Sequence, residues 1–170
     1  MMKATPKGFT LVEVLIVVVI LGIIAAIALP QFSTASADAR SSMLRDDLRV
    51  MRTQIMVFKG QHISVSPGYP DGDESETPTE AAFLAHITLA SKSNCETAAP
   101  GTPGYPYGPY MREMPENPIN GKRTVQVIPD NGTLPTSPDD SHGWIYQPFT
   151  LIFRADSTGT DTASQSYFDY

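Results

Sequence analysis

The side chains that most often carry out catalysis are few in this sequence and lie far apart. Its histidines, His62, His86 and His142, have none of the spacings typical of a metal site. The single cysteine, Cys95, has no histidine near it in the sequence with which to form a reactive thiolate pair, and one cysteine cannot form an intrachain disulfide. The sequence also lacks a glycine-rich phosphate-binding loop. These observations argue against an enzyme.

One acidic side chain, that of Glu13, lies where a charge is costly. It interrupts an apolar run over residues 9–29, within the segment KGFTLVEVLIVVVILGIIAAIALP. A charge at the centre of a bilayer costs about 2.5 to 3.5 kcal/mol on insertion scales, and a buried carboxylate is tolerated when it is paired and expensive when it is alone. Either Glu13 has a cationic partner, or it reaches the polar surface at the end of the helix.

The apolar run around Glu13 has the length of a membrane span. It covers about 21 residues, which as a helix would be roughly 31 Å long, and the hydrocarbon core of a bilayer is about 30 Å thick. Lys3 and Lys7 precede the run, so the positive-inside rule predicts a single-pass anchor with a cytoplasmic N-terminus and an exported domain after Leu29. The alternatives are a secretory signal peptide cleaved near Ala37 and a plain signal anchor, which leaves Glu13 unexplained.

The junction KGFTLVE resembles the processing site of type IV prepilins and of type II secretion pseudopilins. The resemblance implies a prepilin leader over residues 1–8, which a membrane prepilin peptidase removes by cleaving between Gly8 and Phe9. The same enzyme methylates the new N-terminus to N-methylphenylalanine. The resemblance also implies that Glu13 pairs with the new α-amino group, usually that of a neighbouring subunit, and so sets the register of polymerisation. Residues 9–29 then form both a transmembrane and a polymerisation helix.

Gly22 and Pro30 are the weak points of this helix. Proline removes a backbone hydrogen-bond donor, and glycine costs a helix about 1 kcal/mol relative to alanine. In the filaments that the junction resembles, a stretch bounded by a glycine and a proline at these positions melts when subunits pack, which implies an assembly role for both residues. The alternative is a harmless kink in a lone membrane anchor.

Beyond Pro30 the apolar residues become periodic. Five of them recur at intervals of four and three residues, as on one face of a helix: Leu44, Leu48, Met51, Ile55 and Phe58. The pattern predicts that the helix continues over residues 30–60 and stops at Gly60. It also predicts that this stripe packs on a globular domain formed by residues 61–170.

Within that domain, start signals predict one short helix over about residues 78–91, with Thr77 as N-cap and Glu80 completing a capping box. The segment that follows, SKSNCETAAPGTPGYPYGPY, is predicted to be a surface loop. Strand patterns then indicate an antiparallel sheet of about three strands between about residues 124 and 154: 124–128, 144–147 and 150–154. The predicted class is α+β, in which a long N-terminal helix, its first half in the membrane, packs on a small antiparallel sheet.

This order of elements is similar to the type IV pilin-like fold, and most of all to the major (G-type) pseudopilins of type II secretion systems. The segments YGPYMREMPENPINGKRTV and PDNGTLPTSPDDSHGW resemble parts of that group. There the second segment binds calcium through carboxylate and backbone oxygens, which implies Asp130, Asp139 and Asp140 as ligands here. Asn131 is inserted and the loop is longer than in the pattern, so the alternative is a solvated acidic turn without metal. No other cofactor is implied.

The resemblance implies a structural subunit of a type IV filament, held in the inner membrane with its C-terminal domain in the periplasm. With further copies of itself and minor pseudopilins, and driven by an inner-membrane assembly platform and its ATPase, it would form a periplasmic pseudopilus. That fibre would drive protein export through an outer-membrane secretin. The alternatives are a type IV pilin of a surface fibre for adhesion, twitching or DNA uptake and, from another class, a signal-anchored exported enzyme or binding protein. The net charge of −6 argues against nucleic-acid binding, which draws on lysine and arginine.

Overall fold

The structure of the protein is a computed structural model that describes residues 8–170, apart from the side chains at positions 28–30 and 33. Residues 1–7, which make up most of the expected leader, lie outside the described residues. The chain divides into two compact units, Met1–Asp38 and Ala39–Tyr170. The strands of the described chain all lie in the second unit.

The first helix, α1, spans Leu11–Gln61. The predicted long N-terminal helix is thereby confirmed, and it ends next to the predicted stop at Gly60. The helix is continuous through Gly22 and Pro30, so neither residue breaks it in the single chain. Among the described residues, no helix is both long enough and apolar enough to cross a membrane. The membrane assignment of residues 9–29 stays a prediction.

The part of α1 in the second unit buries one stripe of apolar side chains, which confirms the stripe predicted from the sequence. Each of its members is at most 1% exposed: Leu44, Leu48, Met51, Ile55 and Phe58. The first four pack in one core with apolar side chains of the second helix and of the main sheet. Burying a side chain of this size contributes about 1.5 to 3 kcal/mol, so the stripe attaches α1 to this core.

The second helix, α2, spans Glu80–Thr88. Its N-cap is Thr79, whose hydroxyl accepts a backbone N–H of the first turn at 3.1 Å, and not Thr77 as predicted. The Glu80 carboxylate instead accepts the backbone N–H of Val125 at 2.7 Å. The predicted capping box is therefore wrong, because Glu80 satisfies a donor in the sheet and ties α2 to it.

Two short strands follow α2 directly: β1 (Ala90–Ser91) and β2 (Thr97–Ala98), which pair antiparallel. Ser91 also exchanges backbone hydrogen bonds with Tyr107, with N···O distances of 2.8 and 3.1 Å. The prediction of a plain surface loop is wrong here, because two-residue strands are too short to leave an alternating pattern in the sequence. The described chain also contains two one-turn 3-10 helices: Pro70–Gly72 and Tyr167–Asp169.

The main sheet has three strands in the order in which they occur along the chain: β3 (Val125–Val127), β4 (Trp144–Gln147) and β5 (Ile152–Ala155). β4 and β5 are antiparallel, as predicted, but β3 and β4 are parallel, so the prediction of a purely antiparallel sheet is wrong for that pair. Parallel neighbours need a long crossover connection, and the segment between β3 and β4 supplies it. That segment carries the three aspartates of the predicted calcium site.

The central strand β4 is buried on both faces. Trp144 and Tyr146 lie in the core that contains the α1 stripe. Ile145 points to the opposite face, where it packs with Ile128 and Phe168. Because successive side chains of a strand alternate between its faces, β4 is anchored in two layers at once, and it holds the end of the aspartate-bearing segment in place.

Candidate functional site

Thr10 and Glu13 bond to each other at the start of α1. The backbone N–H of Glu13 donates to the Thr10 hydroxyl at 3.2 Å, and the backbone N–H of Thr10 donates to the Glu13 carboxylate at 3.4 Å. This reciprocal pair is a capping box, which satisfies donors at the helix start that have no partner within the helix. The positive end of the helix dipole also favours a carboxylate there. The Thr-x-x-Glu spacing signals such a box, but the role of Thr10 was not predicted from the sequence.

The two residues of the predicted cleavage site are accessible to solvent. Phe9 is 82% exposed, and among the described residues other than the two chain neighbours of Gly8 no atom lies within 4 Å of the position that a Cβ at Gly8 would take. A Cβ at Gly22 would likewise meet no described atom within 4 Å apart from its chain neighbours and the adjacent helix backbone. Nothing in the described part of the chain therefore covers the peptide bond between Gly8 and Phe9. Cleavage and methylation stay predictions, as do the assembly roles of Glu13, Gly22 and Pro30.

Asp130, the first aspartate of the predicted calcium site, is bonded to a tyrosine. Its carboxylate accepts the Tyr69 hydroxyl at 2.7 Å. Burial raises the pKa of Tyr69, and the bond to Asp130 raises it further. Among the described residues there is no group of three or more His, Cys, Asp or Glu side chains that could hold a metal ion together. Calcium binding by Asp130, Asp139 and Asp140 stays a prediction.

Asp139 and Asp140 lie on one loop and accept hydrogen bonds from the protein itself. Asp139 accepts the Ser141 N–H at 2.9 Å. Asp140 accepts the Thr158 N–H at 3.1 Å and also the Thr158 hydroxyl. Hydrogen bonds stabilise the charged form of a carboxyl group, so those from Ser141 lower the pKa of Asp139 and those from Thr158 lower that of Asp140. Both groups are therefore carboxylates at neutral pH.

A fourth aspartate, Asp156, holds the same loop from the protein interior. It is 1% exposed and accepts the N–H of Asp139 at 3.0 Å, the N–H of His142 at 2.9 Å and the hydroxyl of Ser141 at 3.2 Å. Three donors offset the cost of burying a carboxylate, so Asp156 organises the loop. It lies directly after β5 in the sequence, and no spacing connects it with the loop, so its role was not predicted.

The segment PENPINGK, which precedes β3, also bonds to this loop. Asn117 is fully buried and donates to the Gly143 carbonyl at 2.7 Å, and Asn120 donates to the His142 carbonyl at 2.8 Å. The two segments touch so closely that a Cβ at Gly143 would lie 2.2 Å from the carbonyl oxygen of Lys122. Position 143 therefore requires glycine.

Two of the histidines are packed around Phe58. The His62 ring stacks on Phe58 at a centroid distance of 3.7 Å, and the His86 ring at 4.9 Å. The His86 Nδ1 accepts the N–H of Gly68 at 3.2 Å. Burial lowers the pKa of His86 to about 4 and also lowers that of His62, whereas burial raises the pKa of Cys95 to about 11. These histidines are neutral core side chains at pH 7, and the thiol is unreactive.

Comparison with protein families identifies the N-terminal segment. The family described as the prokaryotic N-terminal methylation motif matches residues 4–29. The matched segment contains Gly8, Phe9 and both members of the capping box, Thr10 and Glu13. The motif and the start of α1 therefore coincide in the sequence.

Curated relatives match part of the chain, over alignments of 54 to 90 residues. The chain is 48% identical over 54 residues to the type IV major fimbrial protein FimA of Dichelobacter nodosus, an alignment that covers 32% of this chain and 35% of the relative. It is 34% identical over 59 residues to the type II secretion system core protein G of Pseudomonas aeruginosa, covering 35% of this chain and 42% of the relative. It is 31% identical over 90 residues to fimbrial protein Q of Moraxella bovis, covering 52% of this chain and 57% of the relative. The chain thus spans about a third to just over half the length of these relatives. No solved structure gives a significant match.

Proposed function

We propose that this chain, which is type IV pilin-like, is a structural subunit of a type IV filament. The observation that carries the proposal is the N-terminal methylation motif over residues 4–29, which includes the open junction between Gly8 and Phe9. The α+β architecture, with a long first helix and small sheets, is consistent with the same class. None of the relatives described above is named as an enzyme, and the proposed role is structural.

The first step of this function is removal of residues 1–8. A prepilin peptidase with methyltransferase activity is the expected partner, and it would cut between Gly8 and Phe9 and methylate the new amino group. Gly8 presents no side chain to obstruct the peptidase, and the described residues leave it uncovered. The new positive charge then lies on Phe9, directly beside the capping box of Thr10 and Glu13.

Cleavage thereby supplies a charged partner for Glu13. A hydrogen bond to the neutral N–H of Thr10 satisfies the carboxylate at a helix start, but a carboxylate taken out of water is better matched by a cation. We expect the methylated amine of a neighbouring subunit to supply that cation in the filament. Glu13 would then favour one register between adjacent subunits, since other registers leave it unpaired.

The apolar side chains of the first unit are the expected contact with the membrane and with other copies. Large aliphatic side chains in the first half of α1 are about half exposed or more, among them Leu15, Ile20 and Ile24. Exposed apolar surface of this extent marks an interaction surface. The proposal places it in the inner membrane before assembly, with the second unit in the periplasm, and against neighbouring copies afterwards.

Within this class we propose the major pseudopilin of a type II secretion system. Its support is the 34% identity to a protein named core protein G of such a system, together with the likeness of two sequence segments to that group. The partners then expected are minor pseudopilins, an inner-membrane assembly platform with its ATPase, and an outer-membrane secretin. The fibre would be a periplasmic pseudopilus that drives protein export.

A surface pilus is the second candidate function. It is favoured by the 48% identity to a major fimbrial protein and by the longer alignment with fimbrial protein Q. Imaging cells with and without this chain separates the two candidates. Long surface fibres that disappear with the chain favour the pilus, whereas loss of secreted proteins without any loss of surface fibres favours the pseudopilus.

Mass spectrometry of the mature N-terminus tests the filament proposal itself. The chain is expressed together with a prepilin peptidase, and the N-terminal peptide is sequenced. We expect N-methylated Phe9 as the first residue. An N-terminus at Met1, or one near position 38 after signal-peptide cleavage, would refute the proposal.

A further inference from the structure

The ammonium group of Lys122 is bonded to the backbone of the loop that carries Asp139 and Asp140. Its Nζ lies 2.5 Å from the carbonyl oxygen of Asp140 and 3.2 Å from that of Ser141. An ammonium group has three donors and no acceptor, so it can serve both oxygens at once. Two carbonyl oxygens of one loop thus converge on a single positive charge.

These two are the first of four successive backbone carbonyl oxygens, each of which accepts a hydrogen bond from a side chain. The next two carbonyls along the chain, those of His142 and Gly143, accept the side-chain amides of Asn120 and Asn117 at 2.8 and 2.7 Å. The four successive carbonyl oxygens of residues 140–143 therefore all bond to the turn before β3. Lys122 is the one charged donor among the three side chains that supply these bonds.

The carboxylates around this loop concentrate negative charge. Asp139, Asp140 and Asp156 each accept N–H or O–H groups of the protein, as described above. Without a nearby positive charge the carboxylates of this cluster would repel one another, because like charges at short range disfavour the ionised form. The ammonium group of Lys122, bonded to the backbone carbonyl of Asp140, is a positive charge next to these carboxylates.

We infer that the ammonium group of Lys122 is the cation of this loop and holds residues 139–143 in the observed conformation without a bound metal ion. The arrangement does not fit calcium as it stands. Calcium takes about six to eight oxygen ligands at about 2.3 to 2.6 Å, and the four carbonyl oxygens here already accept donors of the protein. A calcium ion would have to displace Lys122 to reach the carbonyls of Asp140 and Ser141. Lys122 is in this sense a positioning residue, and the inference is independent of filament assembly.

The test uses the full chain in detergent, as wild type and as two variants. Lys122→Met keeps a side chain of similar length and removes the ammonium group. Lys59→Met is the matched control, because it also removes one positive charge, from the last turn of α1. Thermal unfolding is recorded with excess EDTA and with excess calcium chloride. Hydrogen exchange, followed by mass spectrometry, reports separately on the peptide that contains residues 139–143.

For the wild type, the inference requires a melting temperature that is the same in EDTA and in calcium, within about 1 °C. Lys122→Met should lower it by about 1 to 3 °C and speed exchange in residues 139–143 about two- to fivefold, because the bonds lost are partly solvent-exposed. Lys59→Met should leave exchange of that peptide unchanged. A wild type that calcium stabilises, or a Lys122→Met loop that exchanges at the wild-type rate, would overturn the inference. If Lys122→Met does not fold, the wild-type comparison still decides whether the loop is independent of metal.

Discussion

The Glu13 carboxylate accepts the backbone N–H of Thr10, and the Thr10 hydroxyl accepts the backbone N–H of Glu13. The acidic side chain that is expected to pair with another subunit thus already has a partner at the start of its own helix. Filament assembly would exchange a bond to a neutral N–H for a pair with a charged amine, and hydrogen bonds between charged groups are roughly twice as strong. In the proposed filament, the capping box would keep the Glu13 carboxylate hydrogen-bonded until assembly.

Replacing Glu13 by glutamine separates its two roles. Glutamine also closes a capping box, so the helix start should survive, but it carries no charge to pair with an amine. We expect Glu13→Gln to be cleaved before Phe9 as in the wild type, and to form at least about tenfold fewer fibres, since breaking a buried ion pair costs about 3 to 5 kcal/mol. Mass spectrometry measures cleavage, and electron microscopy counts fibres. Thr10→Ser, which keeps the capping oxygen, is the control, and a normal fibre count from Glu13→Gln would contradict the pairing argument.

Processing should depend on the absence of a side chain at position 8. Gly8→Leu adds bulk directly at the bond to be cleaved, and we expect the chain to retain residues 1–8 when it is expressed with a prepilin peptidase. Gly22→Ala is the matched glycine control, because, apart from its chain neighbours and the adjacent helix backbone, no atom of the described chain lies within 4 Å of the added methyl group. That variant should be cleaved normally. Equal cleavage of the two variants would show that the peptidase does not require glycine at position 8.

The close approach of Gly143 to the turn before β3 should make any larger residue at this position destabilising. In Gly143→Ala the new methyl carbon would lie 2.2 Å from the carbonyl oxygen of Lys122, so one of the two segments must move. We expect a loss of about 1 to 3 kcal/mol in the free energy of unfolding. Gly60→Ala, near the end of α1, meets no described atom within 4 Å apart from its chain neighbours and the adjacent helix backbone, and it should be neutral or stabilising by up to about 1 kcal/mol. Urea titration followed by the fluorescence of Trp144 measures both variants, and a neutral Gly143→Ala would contradict the described contact.

Burial of His86 should make the fold sensitive to mild acid. Its pKa is about 4 in the folded chain and 6.5 without the influence of the fold. Between these values the unfolded state binds more protons, so the free energy of unfolding falls as the pH is lowered from about 6.5 towards 4 and is fully retained above 6.5. The loss amounts to about 2 to 3 kcal/mol at the lower limit, and the lowered pKa of His62 adds to it in the same direction.

Urea unfolding at pH 7, 6 and 5 checks this dependence, because the aspartates with lowered pKa values titrate below that range: Asp73, Asp139, Asp140 and Asp161. The variant His86→Asn keeps an acceptor for the Gly68 N–H but has no group that titrates in this range. It should be less stable than the wild type at pH 7 and lose less stability between pH 7 and pH 5. If the free energy of unfolding of this variant falls with pH as steeply as that of the wild type, the acid sensitivity comes from other groups.

Features that depend on neighbours in the sequence were predicted well. The burial of Leu44, Leu48 and Phe58 follows from their spacing, because residues three and four apart share one face of a helix. The N-terminal motif is likewise local, since the groups involved, from Gly8 to Glu13, lie within about two helical turns. The prediction failed where two local signals competed, because Thr77 and Thr79 both precede the short helix. In the folded chain Thr79 is the N-cap, and Glu80, the expected partner of Thr77, accepts the backbone N–H of Val125 instead.

The sequence by itself determined the long helix, its buried stripe and the N-terminal methylation motif, because each follows from periodicity or from adjacent residue types. The tertiary structure alone decided that β3 and β4 run parallel, since a strand carries the same alternating pattern whichever way its neighbour runs. It also brought Lys122 and Asp156 to the loop of Asp139 and Asp140. These contacts join segments that are remote in the chain, and their geometry exists only once the sheet has placed those segments side by side.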